Sequence, residues 1–89
     1  MITKELEIRN KLGLHARAAA KLVHMAARFS SDVKVRKGEE EVDAKSILGV
    51  LLLAAPKGST LVLTADGSDE EDAVRSIEEL FDAKFDEAE

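Results

Sequence analysis

The order in which two repeating patterns of apolar residues follow one another constrains this chain more than any other feature. Four short stretches alternate apolar and polar residues with the period of a β-strand, and three repeat them with the period of an α-helix. The strand-like stretches are residues 2–8, 32–37, 39–43 and 61–64, and the helix-like stretches are residues 16–29, 44–53 and 69–85. The sequence therefore predicts the element order βαββαβα.

The connections between these elements are short, and glycine or proline marks several of them, as at Gly38, Pro56 and Gly67. Such connections favour an antiparallel sheet with the helices on one face, which is the α+β class. The strand order stays open, because a ferredoxin-like sheet fits the same elements. We expect a single domain over residues 1–89, with one core and no deep cavity.

The first helix-like stretch has an apolar side and a basic side. The apolar stripe contains Ala19, Leu22, Val23, Ala26 and Phe29. At 100° per residue the opposite side carries the residues that we call the basic ridge: Arg17, Lys21, His24 and Arg28. On an acidic protein this ridge indicates a docking face for an acidic partner, and a merely solvated helix face is the alternative.

The second helix-like stretch is apolar on nearly every side. Ser46 is well placed as its N-cap, and we expect Val50 and Leu53 to enter the core. The remaining aliphatic side chains then form an exposed apolar patch consisting of Ile47, Leu48 and Leu51. Such a patch on a small domain is typical of a contact surface, although Leu48 or Leu51 packed under a loop is the alternative.

The third helix-like stretch has its own start and stop signals. Ser68 and Glu71 predict a capping box at its beginning, and residues 86–89 are expected to be frayed. Its buried face is predicted to consist of Ala73, Val74, Ile77, Leu80, Phe81 and Phe85.

Composition excludes several classes of function. The net charge of −5 and the lack of tyrosine and tryptophan argue against nucleic-acid partners. The chain has no cysteine, and His15 and His24 are not at the spacing of a helical metal pair, so we expect no metal site. The sequence predicts neither a signal peptide nor a membrane span, since Met1 leads into a strand and the longest apolar run is short. We therefore expect a cytoplasmic protein.

The segment Gly13-Leu14-His15-Ala16-Arg17 joins the first predicted strand to the first predicted helix. The first N–H groups of a helix have no internal partner, and the helix dipole favours an anion there. That dipole disfavours imidazolium, so His15 is expected to be a neutral nucleophile beside an anion site. A phosphoryl group accepted there would meet the N–H groups of Ala16 and Arg17 and the Arg17 guanidinium. The alternative is a histidine that only caps the helix.

Three segments together resemble the family of histidine-containing phosphocarrier proteins, HPr. They are Gly13-Leu14-His15-Ala16-Arg17, Ser46-Ile47-Leu48-Gly49-Val50 and Pro56-Lys57-Gly58, whose order and separation match over essentially the whole chain. The resemblance implies an open-faced β-sandwich with a four-stranded antiparallel sheet and three helices on one face. It also implies a stoichiometric phosphoryl carrier that needs no cofactor and is not itself an enzyme, and we expect it to be a monomer.

The same resemblance assigns roles to individual residues. His15 accepts a phosphoryl group on Nδ1 from enzyme I, itself charged by phosphoenolpyruvate, and passes the group to an enzyme IIA protein or domain. Ala16 and Arg17 bind the phosphoryl oxygens, and Ser46 matches the regulatory site of members phosphorylated by the HPr kinase/phosphorylase, although its role as an N-cap requires no kinase. The docking residues implied are Ala20, Lys21, His24, Ala27, Ile47, Leu48 and Leu51.

The sequence departs from the family pattern at Ala18, where typical members have proline. Alanine is a strong helix former, so the anion site is expected to survive. The segment Asn10-Lys11-Leu12-Gly13 and the ending Phe85-Asp86-Glu87 resemble the nitrogen-related branch, whereas Ser46-Ile47-Leu48-Gly49 resembles the kinase-regulated sugar-uptake branch. The branch therefore stays open, and a regulatory interaction module that acts through its phosphorylation state is the alternative function.

Overall fold

A computed structural model describes residues 1–87 and contains the predicted elements in the predicted order. The elements are β1 Ile2–Glu7, α1 Ala16–Ala26, β2 Asp32–Lys37, β3 Glu40–Asp43, α2 Ile47–Leu52, β4 Thr60–Asp66 and α3 Glu70–Asp82. A short turn over Lys84–Asp86 follows α3. The predicted α+β class and the order βαββαβα are confirmed.

The sheet is antiparallel with the strand order β1-β4-β2-β3, which resolves the order that the sequence left open. The last strand of the sequence, β4, therefore lies inside the sheet between β1 and β2. Leu6 pairs with Leu61 and Val35 pairs with Leu63, and these four side chains are buried. The intervening residues of the strands are mostly exposed or half-buried. One face of the sheet is thus covered by the helices and the other faces solvent.

The core lies between the sheet and the helices. Ala18 is fully buried in addition to the predicted stripe, while Val23 and Phe29 are only half-buried. All the residues predicted for the buried face of the third helix are buried. Among them the rings of Phe81 and Phe85 lie in tilted contact, with their centroids 4.9 Å apart.

Helix α1 ends at Ala26, three residues earlier than predicted. Beyond it the N–H of Arg28 donates to the carbonyl of Met25 at 3.1 Å, and the N–H of Phe29 donates to that of Ala26 at 3.2 Å. Bonds that span three residues rather than four tighten the last turn and stop the α-helix. Helix α2 also begins as predicted, because the Ser46 hydroxyl accepts from the N–H of Gly49 at 3.2 Å.

The start of α3 differs from the prediction of a Ser68–Glu71 capping box, which is wrong. Glu70, not Glu71, reaches back, and its carboxylate accepts the N–H of Gly67 at 3.0 Å. The residue before the helix is Asp69, whose side chain makes no cap bond within α3. The carboxylate of Asp69 instead accepts hydrogen bonds from a segment that lies 38 residues earlier in the chain, at Ser31.

The Asp69 carboxylate ties the start of α3 to the turn after α1. It accepts the N–H groups of Ser30 and Ser31, each at 2.9 Å, and contacts both hydroxyl groups. The Ser31 hydroxyl, followed by the Ser30 N–H, lowers the pKa of Asp69 from 3.8 to about 2. The folded state therefore favours the ionised carboxylate.

Within residues 1–87, none of the helices has the length and apolar character that crossing a membrane requires.

We predict that Asp69→Asn lowers the thermal unfolding midpoint at neutral pH. Because folding depresses the pKa of Asp69, its contribution to stability is complete above about pH 4 and is lost as the pH falls towards 2. The difference in midpoint between the wild type and the variant should therefore shrink over that range in circular dichroism melts. Glu71→Gln, an exposed residue in the first turn of α3, is the control. A difference that did not change between pH 7 and pH 2.5 would contradict the role of the charge.

Candidate functional site

His15 is the N-cap of α1. Its carbonyl accepts the N–H of Ala19 at 2.8 Å, and its Nδ1 accepts the N–H of Arg17 at 3.4 Å. The N–H groups of Ala16, Arg17 and Ala18 have no carbonyl four residues back within the helix. The side chain of His15 is 26% exposed. A half-buried ring thus presents Nδ1 to the positive end of a helix, which is where an anion binds.

Gly13 makes the position of His15 possible. Its φ of +68° lies in the left-handed region, and its N–H donates to the carbonyl of Asn10 at 3.1 Å. The next residue, Leu14, donates to the carbonyl of Ala55 at 2.8 Å. A Cβ on Gly13 would lie 2.6 Å from that same carbonyl oxygen and 2.8 Å from Cα of Pro56. Only glycine allows the chain to pass this loop so closely.

The other ring nitrogen of His15 is occupied by a carboxylate. Oε2 of Glu87 contacts Nε2 of His15, and Oε1 of Glu87 accepts from Nδ2 of Asn10 at 2.9 Å. The same Asn10 nitrogen donates to the carbonyl of Gly13 at 2.7 Å. The prediction that residues 86–89 are frayed is therefore wrong for Asp86 and Glu87. Residues 88 and 89 lie outside the described part of the chain.

A left-handed turn brings Glu87 to the histidine. Lys84, Phe85 and Asp86 have φ values of +55°, +56° and +60°, which cost roughly 1–2 kcal/mol per residue outside glycine. The buried ring of Phe85 and a hydrogen bond of 2.6 Å from Nζ of Lys21 to the carbonyl of Phe85 hold this turn. Because the turn follows α3 and binds α1, the ends of the two helices form one unit around His15.

The pKa of the Glu87 carboxyl group is lowered, although its side chain is only 6% exposed. Burial raises the pKa, but the hydrogen bonds from Asn10 and His15, the charge of His15 when its ring is protonated, and the charge of Arg17 outweigh that effect. The net direction is downward, so the group is ionised at neutral pH. The periodicity of the third helix gave no signal for this contact, because the chain leaves the helix before reaching Glu87.

The basic ridge is exposed at Arg17, His24 and Arg28, as predicted. Lys21 differs, because its side chain is half-buried and binds the carbonyl of Phe85. A shallow groove of about 240 Å³ follows the ridge, and its lining residues are Lys21, His24, Met25, Arg28, Leu80 and Asp86. Of the two alanines expected at the docking face, Ala20 is half-buried and Ala27 is exposed.

The apolar patch on α2 differs from the prediction at two residues, Leu51 and Leu52. Ile47 and Leu48 are 40% and 72% exposed, but Leu51 is half-buried and packs against the core. Leu52, which was not predicted as part of the patch, is 71% exposed and lies four residues along the helix from Leu48. Helices α1 and α2 pack against each other, so the patch lies on the helix beside the basic ridge. Ser46 is exposed at the beginning of α2.

No group of three or more His, Asp or Glu side chains in residues 1–87 converges in the way that a metal ion requires. The polar groups around His15 are one carboxylate, one amide and the backbone donors described above. These groups can orient a neutral imidazole and receive an anion. The arrangement is typical of a site that binds a phosphate or accepts a phosphoryl group.

The fold and the site together define a small α+β protein that presents one histidine at a helix start. The family model described as "PTS HPr component phosphorylation site" matches residues 2–83. The phosphocarrier protein HPr of Cupriavidus necator is 48% identical over 89 residues, with both chains fully covered. The phosphocarrier protein NPr of Shewanella violacea is 44% identical over 87 residues, covering 98% of this chain and 96% of that protein.

A solved structure agrees with these sequence matches. The crystal structure of HPr-C-His from Thermoanaerobacter tengcongensis superposes with a TM-score of 0.96 at 43% identity, and each chain is completely covered. The chain belongs to the HPr family. It is a phosphoryl carrier of the phosphotransferase system, as its resemblance to that family implied.

We predict that Gly13→Ala destabilises the fold by about 2 kcal/mol or more, because it adds a steric conflict to an unfavourable φ. Gly38→Ala is the matched control, since Gly38 has a similar φ of +62° and no atom within 4 Å of the added Cβ. Urea unfolding should show the larger loss for Gly13→Ala. Equal losses of stability for the two variants would mean that the close approach of Ala55 to Gly13 does not add to the destabilisation.

Proposed function

We propose that His15 is the residue that carries the phosphoryl group, which it accepts and releases through Nδ1. The observation that carries this proposal is that the two ring nitrogens have different partners. Nε2 contacts Glu87, whereas Nδ1 faces the N–H of Arg17 at the start of α1. Nδ1 is therefore the nitrogen with a lone pair directed at an anion site.

Charge stabilisation at this site increases as the phosphoryl group arrives. The group brings negative charge to the N–H groups of Ala16 and Arg17, and the exposed Arg17 side chain can fold over its oxygens. Phosphoryl transfer requires mainly alignment and charge stabilisation from a protein. A shallow surface site is sufficient for that, and it lets the donor and the recipient proteins reach the same atom.

The partners we propose are enzyme I as the donor and an enzyme IIA protein or domain as the recipient, in keeping with the phosphotransferase partners that the family implies. Two surfaces support docking. One is the basic ridge with Ala20 and Ala27, and the other is the apolar patch, which we extend to Leu52. Basic groups steer an acidic partner, and exposed aliphatic groups provide the area to be buried.

We also propose that the chain acts as a cytoplasmic monomer, forms one domain over residues 1–89 and turns over only with its partners. The site supports a stoichiometric carrier, because it has one nucleophile at the surface. The comparisons do not favour a regulatory interaction module over this role, and the relatives that match carry both the HPr and the NPr name.

Ser46 is our candidate for a second, regulatory phosphorylation by an HPr kinase/phosphorylase. Its side chain is exposed, and its hydroxyl accepts the N–H of Gly49 at the beginning of α2. A phosphate there would place two negative charges beside Ile47 in the apolar patch and disturb docking. As an N-cap Ser46 also stabilises α2 without any modification.

We predict that incubation with phosphoenolpyruvate and a cognate enzyme I places one acid-labile phosphate on the protein, and that His15→Ala abolishes it. The matched control is His24→Ala, which removes the exposed histidine on the same helix and should reach the same final stoichiometry as the wild type. Intact-protein mass spectrometry measures both. A labelled His15→Ala protein would refute the assignment of His15.

We predict that Leu48→Asp weakens binding to enzyme I by about tenfold or more, because a charge replaces an apolar contact at the exposed centre of the patch. The control is Thr3→Asp, an exposed residue on the sheet face away from the helices. Titration calorimetry gives both affinities, and circular dichroism shows whether the fold is intact. Unchanged affinity of Leu48→Asp would remove the apolar patch from the docking surface.

A further inference from the structure

We propose that Glu87 is a positioning residue for phosphoryl transfer: its carboxylate holds the proton of His15 on Nε2 and so keeps Nδ1 free to accept the phosphoryl group. This inference rests on the proposed role of His15 as the carrier. It assigns a task to a residue that lies outside the matched range 2–83 and for which the sequence predicted no role in transfer.

The contacts of the ring determine which nitrogen is protonated. An ionised carboxylate can only accept a hydrogen bond, so the Nε2 atom in contact with Oε2 of Glu87 must carry the proton. The N–H of Arg17 points at Nδ1, so Nδ1 must offer its lone pair. Hydrogen bonds from both sides therefore select the same tautomer. Without Glu87, only the contact of 3.4 Å with Arg17 would favour it.

The surroundings of Glu87 are built to hold its carboxylate in this orientation. Asn10 is fully buried, and its amide nitrogen donates both to Oε1 of Glu87 and to the carbonyl of Gly13. Its own oxygen, Oδ1, is buried without a partner among the described residues. The amide group of Asn10 is therefore oriented towards Glu87, although this orientation leaves its oxygen without a hydrogen bond. Because Asn10 occupies Oε1, the oxygen left to His15 is Oε2.

The transfer step shows what the carboxylate contributes. The lone pair of Nδ1 forms the new N–P bond while the bond between phosphorus and the donor breaks, and that electron pair leaves with the donor. His15 releases no proton, since Nδ1 carries none and the Nε2 proton stays in place. The ring gains one positive charge next to the Glu87 carboxylate, which stabilises it. In the onward transfer the N–P bond breaks, its electron pair returns to Nδ1, and the ring is neutral again.

The elements that pack around the Gly13–His15 segment carry charged residues. Glu87 in the segment after α3 contacts the ring, and Arg17 on α1 contributes a positive charge that also acts on Glu87. Lys21 on α1 is directed to the carbonyl of Phe85. The loop that packs on Gly13 contains one ionisable residue, Lys57. Of the residues named here, Glu87 carries the negative charge that contacts the ring, and Glu87→Gln removes it.

The test uses Glu87→Gln, which removes the charge and keeps the shape, with Asp86→Asn as the matched control. Asp86 is exposed, adjacent in sequence and equally charged, and its left-handed φ of +60° suits asparagine. ¹⁵N NMR of the unphosphorylated proteins measures the share of the Nε2–H tautomer of His15. We expect that share to fall in Glu87→Gln and to stay at the wild-type level in Asp86→Asn.

Two further measurements distinguish a positioning role of Glu87 from an effect on stability alone. In ³¹P NMR titrations, the pH at which the phosphorylated ring loses its Nε2 proton should fall by about one unit or more in Glu87→Gln. In transfer assays with enzyme I, kcat should fall about tenfold while KM changes less than twofold. Glu87→Ala should show the same directions, and thermal melts of all variants report whether the fold is intact.

The outcomes distinguish this inference from the function on which it rests. A wild-type protein that takes no phosphate on His15 overturns the proposed function and the inference with it. A wild-type protein that is labelled on His15, together with Glu87 variants of unchanged tautomer, titration midpoint and kcat, overturns the inference alone. Equal changes in Asp86→Asn and Glu87→Gln would also overturn it, because they would show a general effect of charge in this segment.

Discussion

The close contact between the chain before α1 and the loop before β4 is the constraint on which the rest of the structure depends. Backbone hydrogen bonds join Ile8 to Gly58 and Ser59 at 2.8 and 2.9 Å, and Leu14 to Ala55 at 2.8 Å. They continue the pairing of β1 with β4 past the end of the strand. The left-handed backbone at Gly13 then lets the chain turn into α1. The position of His15 therefore depends on these contacts with the sheet and with the loop before β4, and not on the helix alone.

Local periodicity was sufficient to predict most of the fold. Strand β2 has the predicted limits, and the N-cap at Ser46 and the buried face of α3 are as expected, because each depends on neighbours within a few residues. The strand order could not be predicted, since it depends on which distant strands pair. The capping box at Ser68 failed for a related reason: the Asp69 carboxylate finds donors in Ser30 and Ser31, which no local pattern reveals.

The candidate site shows the same division. His15 and Arg17 were evident from the sequence because a helix start has a local signature. Glu87 was not, because the side chain reaches His15 only through three consecutive left-handed residues and the anchoring of Phe85 in the core. Lys21 was assigned to the solvent-exposed ridge for want of the same information, and its amine in fact supports that turn. Contacts that join the first and last parts of a chain are those that periodicity is least able to predict.

The central place of β4 has a consequence for how the protein is made. A ribosome releases the chain from its amino end, so β1 and His15 emerge long before Ala55, Thr60 or Glu87. Within residues 1–87, β1 pairs with β4 alone, and it therefore remains unpaired until β4 has been translated. His15 is synthesised before Ala55 and Glu87, so its surroundings are completed only after both have emerged. A nascent or prematurely terminated chain would display the imidazole without the neighbours that orient it.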